Sequence, residues 1–349
     1  MHASDRLFRV AFTGDFYKAD GAPLYREFGL DVLDAQPAIR HSAFSENLAE
    51  LDPAQIGDAQ GVIVLSPRVT ARSLSRSENL LAIGRFGVGY DSVDVEACTA
   101  ADVALVTAVG AVDRSVAEAT VTWMLALTHH VRAKDRIVRE GNWQARVNFM
   151  GRELRDRTLG VVGMGGIGRA LIELLRGFGM NPPLAFDPFL DPQIAQRMAV
   201  KLVSLEDLMS QADFVSIHCP LNEQSRNLIG SRELALMKPD AYLINTARGG
   251  IVNEDALYET LRAGRIAGAG LDCFVGEPIT KPHRFGQFDE VLLAPHAIAW
   301  TDEMFREMGR TSCQSMVELA TGRTPRGVVN RQVLERPGFQ KKWARLRVG

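Results

Sequence analysis

Short apolar runs rich in Val, Ile and Leu recur along the chain and alternate with segments whose apolar residues stand three or four positions apart. The runs have the length of buried strands, and the spaced segments have the period of amphipathic helices. This alternation predicts repeated β-α units around mainly parallel sheets, which places the chain in the α/β class. The runs predicted to be strands are 8–12, 61–65, 80–86, 103–106, 158–162, 183–186, 214–218, 241–245, 268–271 and 291–293.

Helical spacing is clearest in five segments. They are 115–139, 168–178, 204–211, 254–262 and 302–320. The longest of them, 115–139, carries a continuous apolar stripe and is predicted to be a single helix. The predicted strands are too many for one compact half of the chain, and 349 residues correspond to about two domains.

Two changes in the pattern mark the domain boundaries. One lies at 109–113, between a strand and the long helix, and the other follows His296, where a strand gives way to a helical segment. We therefore expect two Rossmann-like or flavodoxin-like parallel-sheet domains, one discontinuous (1–110 with 298–349) and one continuous (111–297). The chain would cross between them twice and create a cleft in which a substrate could be enclosed.

Composition and charge narrow the class of protein. Hydrophobic residues make up 46% of the chain and charged residues 23%, which is typical of a globular protein and excludes a disordered one. Lys and Arg total 40 against 42 Asp and Glu, so no global field attracts nucleic acid or an anionic membrane. The longest stretch without a charged side chain, 119–131, is shorter than the ~18–20 residues that a membrane helix needs. We therefore expect a small-molecule partner, with no nucleic acid and no membrane.

The cysteines bear on the cellular compartment. Cys98, Cys219, Cys273 and Cys313 are far apart and form no Cys-x-x-Cys pair, so they are expected to be reduced thiols of a cytoplasmic protein. Residues 1–10 contain charges and are not followed by a long apolar run, so no secretory signal is expected.

Two further patterns are assigned no binding chemistry. No Cys/His cluster has the spacing of metal ligands, and His129 and His130 are adjacent on a predicted helix and face different directions. No metal site is therefore predicted. The basic run 341–347 is interpreted as a solvated tail or a subunit contact rather than a nucleic-acid site.

A glycine-rich loop carries the first functional signal. Gly163, Gly165 and Gly168 form a G-x-G-x-x-G pattern between a predicted strand and a predicted helix. The first glycine permits the tight turn, the second lets a pyrophosphate approach the backbone, and the third lets helix and strand pack closely. Asp187 ends the next strand 19 residues after Gly168, near the position expected for a carboxylate that binds an adenosine ribose. Because a carboxylate there repels a 2′-phosphate, NAD is favoured over NADP.

Charged side chains follow three other predicted strands, where ligands lie in an open parallel sheet. Arg248 stands in a Gly-flanked turn and could grip a carboxylate in bidentate fashion, although an isolated Arg at a turn is often only a surface residue. His296 ends a later strand, and a carboxylate such as Glu277 would fix the tautomer of its ring. Reduction of a carbonyl by a nicotinamide needs a proton donor and a cation for the adjoining carboxylate, which these residues could supply. Arg68 could bind a second anionic group of the substrate or be a solvated loop residue.

Together these residues resemble the family of D-isomer-specific 2-hydroxyacid dehydrogenases over nearly the whole chain. The segments that fall in the family's order are 162–170, His218-Cys219-Pro220-Leu221, 237–249, 271–278 and Pro295-His296. Residues 87–94 resemble the family's substrate loop, and 115–118 open a segment that resembles its long dimer helix.

The resemblance implies an NAD-dependent oxidoreductase that acts on the CH–OH group of a small 2-hydroxy acid, or reduces a 2-oxo acid, as a homodimer. Arg248 would orient the substrate, His296 would be the general acid/base, and Glu277 would be its carboxylate partner. The backbone of Val88 and Gly89 would help to hold the substrate carboxylate. The discontinuous domain would bind substrate, and the other would be the NAD-binding Rossmann domain that includes the dimer helix.

The resemblance also assigns contacts with the cofactor. Gly165, Gly166 and Ile167 would line the pyrophosphate within the loop from Gly163 to Gly168, and Asp187 would hold the ribose. The residues expected to edge the rest of the cofactor are Cys219, Pro220, Thr246, Ala247, Arg248, Asp272, His296 and Val116. Asp272 would face the nicotinamide amide. For Cys219 and Val116, plain core packing is the alternative.

Some positions depart from the family's pattern, and two alternative functions are also considered for the chain. Thr107 to Gly110 replace the usual hinge sequence, and Trp300 stands close after His296, where it could shape the pocket or pack between domains. Formate dehydrogenases resemble this family with a Gln where Glu277 stands, so the carboxylate argues against that branch. An NAD(H)-sensing interaction protein, like the corepressors that share the fold and carry the same Arg, Glu and His, is the alternative from a different class.

Overall fold

The computed structural model describes residues 7–348. The prediction on residues 1–10 therefore lies partly outside the described residues. The described chain divides into two compact units. The first unit combines the residues up to Val112 with those from Trp300 onward, and the second is Asp113–Ala299.

Parallel strands form one sheet in each unit. The strands are β1 (Phe8–Phe12), β2 (Ile39–Ala43), β3 (Gly61–Val64), β4 (Ala82–Arg85), β5 (Ala104–Thr107), β6 (Leu159–Val162), β7 (Leu184–Phe186), β8 (Lys201–Leu202), β9 (Phe214–Ile217), β10 (Tyr242–Asn245), β11 (Gly268–Leu271) and β12 (Val291–Leu293). The helices are α1 (Leu30–Asp34), α2 (Pro53–Ile56), α3 (Val95–Ala100), α4 (Asp113–Thr128), α5 (Val131–Arg139), α6 (Gly166–Leu175), α7 (Pro192–Arg197), α8 (Leu205–Gln211), α9 (Ser231–Leu234), α10 (Glu254–Arg262), α11 (Asp302–Ala320) and α12 (Pro337–Leu346). Among the described residues, no helix combines the length and apolarity needed to cross a membrane.

The sheet of the first unit has the strand order β2-β1-β3-β4-β5, which is the flavodoxin-like order of a doubly wound fold. Helix α11, from the far end of the chain, lies across this sheet. Gly61 and Gly84 make room for it, because a Cβ on either glycine would stand 2.6 Å from the side chain of Met316. The discontinuous part of the chain is therefore built into the core of this unit.

The sheet of the second unit has the order β12-β11-β10-β9-β6-β7-β8. The chain runs outward from β6 through β7 to β8, returns to β9, and continues to the other edge. The strand order therefore reverses between β6 and β9, and ligands of doubly wound sheets bind at such a reversal.

Alternate residues of the central strands supply two separate cores, one on each face of this sheet. Val215 and Leu243 belong to one buried cluster, whereas Phe214 and Tyr242 belong to the other, with their rings stacked 5.6 Å apart. On the same face as these rings, α4 lies so close to β11 that a Cβ on Gly270 would meet the ring of Trp123 at 2.6 Å. Both faces of this sheet are buried, which explains why its central strands are largely continuous apolar runs in the sequence.

The predicted α/β class and the two parallel sheets are confirmed. All ten predicted strands are present, with boundaries that agree to within two residues. The strands that the pattern missed, β2 and β8, both lie at a sheet edge. β2 has a largely exposed face and β8 has only two residues, so neither carries the apolar run that marks a buried strand.

Two sequence predictions are wrong in detail. Segment 115–139 is not a single helix, because His130 adopts a φ of +52° and separates α4 from α5. Of the two interpretations of the run 341–347, the solvated tail is wrong, because most of the run belongs to α12, whereas the subunit contact stays a prediction. Lys342 of that helix donates to the backbone carbonyls of Ser77, Leu80, Ala101 and Asp102 at 2.9–3.0 Å.

Candidate active site

The predicted site residues of the second unit follow the carboxyl ends of its strands, apart from Val116 on α4. The strands and the residues that follow them are β6 with the glycine loop, β7 with Asp187, β9 with Cys219 and Pro220, β10 with Thr246 to Arg248, β11 with Asp272 to Glu277, and β12 with His296. Since all seven strands are parallel, these residues lie along one edge of the sheet.

Close contacts require glycine at three positions of the loop after β6: Gly163, Gly166 and Gly168. Gly163 has a φ of +96°, and a Cβ on it would stand 2.7 Å from the backbone nitrogen of Cys219. A Cβ on Gly168 would stand 2.5 Å from the carbonyl oxygen of Gly163, so this glycine brings α6 close to β6. Gly166 lies against Asp113 in the same way, whereas Gly165 faces open space.

The start of α6 offers hydrogen-bond donors to an anion. Within the described residues, the N–H groups of Gly165, Gly166 and Ile167 donate no hydrogen bond. These groups lie at the N-terminus of a ten-residue helix, where the backbone carries a partial positive charge. The residues present therefore fit a pyrophosphate, and the open space at Gly165 lets it approach the backbone.

Asp187 is tied to the glycine loop by a direct hydrogen bond. Its Oδ2 accepts the N–H of Met164 at 2.8 Å, and its Oδ1 accepts the N–H of Phe189 at 2.9 Å. Each oxygen has a further lone pair, so the carboxylate can still accept hydrogen bonds from two ribose hydroxyls. The loop that would surround a pyrophosphate and the residue that would hold the ribose are thus joined by a direct hydrogen bond.

The other predicted cofactor neighbours of this unit are mostly side chains of apolar or neutral character. Burial raises the pKa of Cys219 to about 11, so its thiol stays protonated at neutral pH. Thr246 is buried, and its hydroxyl lies 3.5 Å from that of Thr120 on α4. Val116 is one turn before Thr120 and is half-buried, Ala247 is half-buried, and Pro220 is exposed.

Arg248 stands in a turn that is fixed by a buried amide. Asn245 at the end of β10 donates from Nδ2 to the carbonyl of Arg248 at 2.8 Å and accepts the N–H of Ala247 at 3.0 Å. The guanidinium donates to the carbonyl of Ala247 at 2.6 Å and is half-buried. The turn therefore holds the backbone of Arg248 while part of its guanidinium stays accessible.

The turn after Arg248 packs directly on the loop that carries Glu277. A Cβ on Gly249 would stand 2.1 Å from the carbonyl carbon of Phe274 and 2.6 Å from the nitrogen of Val275. Glu254 holds the same loop by accepting the N–H of Val275 at 2.6 Å. The position of Glu277 thus depends on close backbone contact with the Arg248 turn.

His296 and Glu277 form a hydrogen-bonded pair. The Nδ1 of His296 lies 2.7 Å from Oε2 of Glu277, and Oε1 of Glu277 accepts the N–H of Phe274 at 2.7 Å. Burial acts to raise the pKa of Glu277, but the hydrogen bonds from His296 and Phe274 and the charge of Arg248 outweigh it and lower the pKa. Glu277 is therefore a carboxylate at neutral pH and fixes the orientation of the imidazole, which leaves Nε2 for proton transfer.

Asp272 holds the turn on which His296 stands. Its Oδ1 accepts the N–H groups of Ala297 at 2.8 Å and Ile298 at 3.2 Å, and its carbonyl accepts the N–H of His296 at 2.8 Å. The turn needs such support, since His296 has a φ of +55°, in the left-handed region. Burial raises the pKa of Asp272 to about 6, although the two backbone N–H groups act in the opposite direction.

The structure also brings Cys273 to the pair, which the sequence spacing did not reveal. One ligating atom from each of Cys273, Glu277 and His296 lies within 4.8 Å of the others. Cys273 and Glu277 are four residues apart in a loop, whereas His296 comes from the next strand along the sheet. Only the pairing of β11 with β12 makes them neighbours.

The remaining predicted residues, Val88, Gly89 and Arg68, belong to the first unit. Val88 and Gly89 follow β4, and within the described residues neither of their N–H groups donates a hydrogen bond. Arg68 follows β3, where its backbone bonds to Ala49 and Leu51 and its side chain is exposed. Two available N–H groups and an exposed guanidinium are suited to anionic groups.

Comparison with known proteins places this geometry in a family context. Residues 121–297 match the family model described as "D-isomer specific 2-hydroxyacid dehydrogenase, NAD binding domain". The chain is 38% identical over 278 residues to the D-3-phosphoglycerate dehydrogenase of Methanocaldococcus jannaschii, which covers 79% of this chain and 52% of the relative. It is 37% identical over 284 residues to the glyoxylate reductase of Aeropyrum pernix, which covers 79% of this chain and 84% of the relative. The chain thus spans about half the length of the first phosphoglycerate dehydrogenases it matches.

A solved structure agrees with these matches. A protein from Thermus thermophilus is 28% identical and superposes with a TM-score of 0.78, over 92% of this chain and all of that one. The match extends well beyond the NAD-binding domain. The similarity therefore covers nearly the whole fold. It includes the glycine loop, Asp187 at the end of a strand and the His296–Glu277 pair.

Proposed function

We propose that this chain, which belongs to the D-isomer specific 2-hydroxyacid dehydrogenase family, is an NAD-dependent enzyme. It would interconvert a small 2-hydroxy acid and the corresponding 2-oxo acid. The observation that carries the proposal is the 2.7 Å hydrogen bond between His296 and Glu277 beside the Arg248 turn. The named relatives are dehydrogenases and reductases, which favours catalysis over a corepressor-like sensing role.

His296 is the proton donor and acceptor in this proposal. When bound, the nicotinamide supplies or accepts the hydride at C2 of the substrate. In the reducing direction Nε2 of His296 would donate a proton to the carbonyl oxygen on C2, which becomes the hydroxyl of the 2-hydroxy acid. Glu277 stabilises the protonated ring through Nδ1, so the pair can return to its starting state by taking a proton from solvent.

Arg248 orients the 2-oxo acid. A guanidinium binds a carboxylate through two parallel hydrogen bonds and can also polarise the neighbouring carbonyl. The N–H groups of Val88 and Gly89 are proposed to hold the substrate carboxylate, and Arg68 to bind a second anionic group on larger substrates. Their available donors and exposed charge support these roles.

The cofactor is bound through the residues that fit it. The N–H groups of Gly165, Gly166 and Ile167 would hold the pyrophosphate, and Asp187 would accept hydrogen bonds from the ribose hydroxyls. Asp187 would also repel a 2′-phosphate, and Pro188 and Phe189 after it bring no positive charge. We therefore propose a preference for NAD over NADP in this chain.

The active form is proposed to be a homodimer. Several large apolar side chains are exposed within one short stretch of the second unit: Val131, Val138, Trp143, Val147 and Met150. Trp143 is 60% exposed and Met150 is 83% exposed, which is costly for a monomer in water. A second copy of this chain is proposed to cover them, in line with the resemblance of the segment that opens at 115–118 to the family's dimer helix. A cytoplasmic location remains a prediction.

The test of this function is the oxidation of NADH with a panel of 2-oxo acids, followed through the absorbance of the reduced nicotinamide. Turnover with NADH, weaker turnover with NADPH, and loss of turnover in His296→Ala would support the proposal. NADH binding without turnover on any 2-oxo acid would contradict it and favour the sensing role.

A further inference from the structure

The His296–Glu277 pair shares its surroundings with a thiol. The Sγ of Cys273, a carboxylate oxygen of Glu277 and a ring nitrogen of His296 all lie within 4.8 Å of one another. The mechanism proposed above uses the imidazole and the carboxylate and has no role for the thiol. The three groups together are the donor types that bind zinc in proteins.

The thiol is held in place by the fold. Cys273 comes directly after β11 and is only 3% exposed, and its Sγ lies 3.3 Å from the carbonyl oxygen of Ala247. The side chains of Glu277 and His296 are 31% and 43% exposed, so the cluster is open on one side. A small ion could therefore enter from solvent and meet a thiol that already lies within 4.8 Å of both partners.

We propose that Cys273, Glu277 and His296 form a binding site for a thiophilic divalent cation such as Zn²⁺ or Cd²⁺. Zinc takes sulfur at about 2.3 Å and nitrogen or oxygen at about 2.0–2.2 Å, so neighbouring ligands of a tetrahedral ion lie roughly 3–4 Å apart. Small side-chain rotations would bring the cluster to this spacing. Three protein ligands would leave a fourth position for water.

Binding of the cation releases one proton to solvent. The cation replaces the proton of the Cys273 thiol, which goes to solvent. It binds the lone pair of Nδ1 of His296 after the ring proton has moved through solvent from Nδ1 to Nε2, so the imidazole stays neutral. The cation then occupies the position between imidazole and carboxylate that orients the ring. Inhibition of turnover is the expected consequence, and this part alone rests on the proposed function.

The direct test is a titration of the chelator-treated full chain with CdCl₂, read from the ultraviolet charge-transfer band of cadmium thiolate. Cys273→Ser is the main variant, because a hydroxyl keeps a hydrogen bond to Ala247 but is a poor ligand for cadmium. Cys313→Ser is the matched control, since Cys313 is also a buried thiol near a backbone carbonyl, that of Phe28. Glu277→Gln tests the oxygen ligand.

We expect one cadmium per chain with the band in the wild type and in Cys313→Ser, and no band in Cys273→Ser. Glu277→Gln should weaken binding by more than about tenfold, because even loss of an outer partner weakens metal sites by 10- to 100-fold. A band of full intensity in Cys273→Ser, or no saturable band in the wild type, would overturn the proposal. These readouts need no substrate, so they stay informative if no 2-oxo acid is turned over.

Inhibition is measured separately. Zn²⁺ should inhibit NADH-dependent turnover of the wild type and of Cys313→Ser, and a chelator should restore it. Cys273→Ser should keep its activity in the presence of zinc. Equal zinc inhibition of Cys273→Ser and the wild type would show that the ion acts elsewhere, against the proposal.

Discussion

The carboxylate of Asp272 accepts the backbone N–H of Ala297 at 2.8 Å, so a buried acid holds the turn that carries His296. Asp272 as a whole is only 4% exposed, and burial raises the pKa of its carboxyl from 3.8 to about 6. Asp272 thus positions the turn of His296, and its ionisation costs free energy in the folded state. This combination makes the stability of the second unit depend on pH at one identified residue.

Asp272→Asn should remove that dependence. Because the pKa of Asp272 is higher in the folded state, its contribution to the free energy of unfolding is present below pH 3.8 and is lost as the pH rises through about 6. Between these pH values, the free energy of unfolding of the variant should therefore rise by roughly 3 kcal/mol relative to that of the wild type. Urea unfolding at several pH values measures the difference. Asp20→Asn, at an exposed turn, is the control, and a pH-independent difference for Asp272→Asn would contradict the argument.

Gly249→Ala should impair catalysis through the position of Glu277. The added Cβ would stand 2.1 Å from the carbonyl carbon of Phe274, so the loop after β11 must move. Displacement of a catalytic group by about 1 Å can cost around 100-fold in rate, and kcat should fall on this scale. Gly177→Ala is the matched control, because a Cβ there meets no atom within 4 Å. Equal kcat values for the two variants would show that the contact does not position Glu277.

Asp187→Ala should weaken the preference for NADH over NADPH. The variant loses the hydrogen bonds to the ribose and the repulsion of a 2′-phosphate, which together correspond to about 10- to 100-fold in the ratio of kcat/KM values. Steady-state kinetics with both cofactors measures this ratio. Asp191→Ala removes a nearby carboxylate that caps α7 and should leave the ratio unchanged. An unchanged ratio in Asp187→Ala would remove this residue from the ribose site.

Charges placed on the exposed apolar stretch should separate the proposed dimer. Trp143→Asp combined with Val147→Asp puts two carboxylates on the surface that a second copy is proposed to cover. Light scattering coupled to size-exclusion chromatography should give a dimer mass for the wild type and a monomer mass for the variant. Leu24→Asp, at an exposed apolar residue of the first unit, should remain a dimer. A wild-type monomer at micromolar concentration would contradict the proposal.

Much of the site could be predicted from the sequence because parallel strands bring their carboxyl ends to one edge. Arg248, Glu277 and His296 each follow an apolar run, so their proximity needs only the strand order. The glycine loop was recognisable because its spacing recurs in dinucleotide-binding folds. Gly163 and Gly168 meet steric demands there, whereas Gly165 leaves space for the ligand.

Features that depend on tertiary contacts were not predictable in this way. The break at His130 arises from a single left-handed residue within an unbroken helical pattern. The burial of Lys342 depends on carbonyl groups more than 200 residues away in the sequence. Cys273 was predicted to be an isolated thiol, because the spacing of ligands along the chain contains no information on the pairing of β11 with β12.

The measurement that tests the central claim most directly is the rate of NADH oxidation with 2-oxo acids by the wild type, His296→Ala and Glu277→Gln. General acid–base catalysis contributes about 100- to 10,000-fold, so His296→Ala should lose at least about 100-fold in kcat while it still binds NADH. Glu277→Gln, which keeps a hydrogen-bonding group without the charge, should fall between the two. Wild-type turnover in His296→Ala would show that this histidine is not the acid/base, and a wild type that binds NADH but reduces no 2-oxo acid would contradict the proposed reaction.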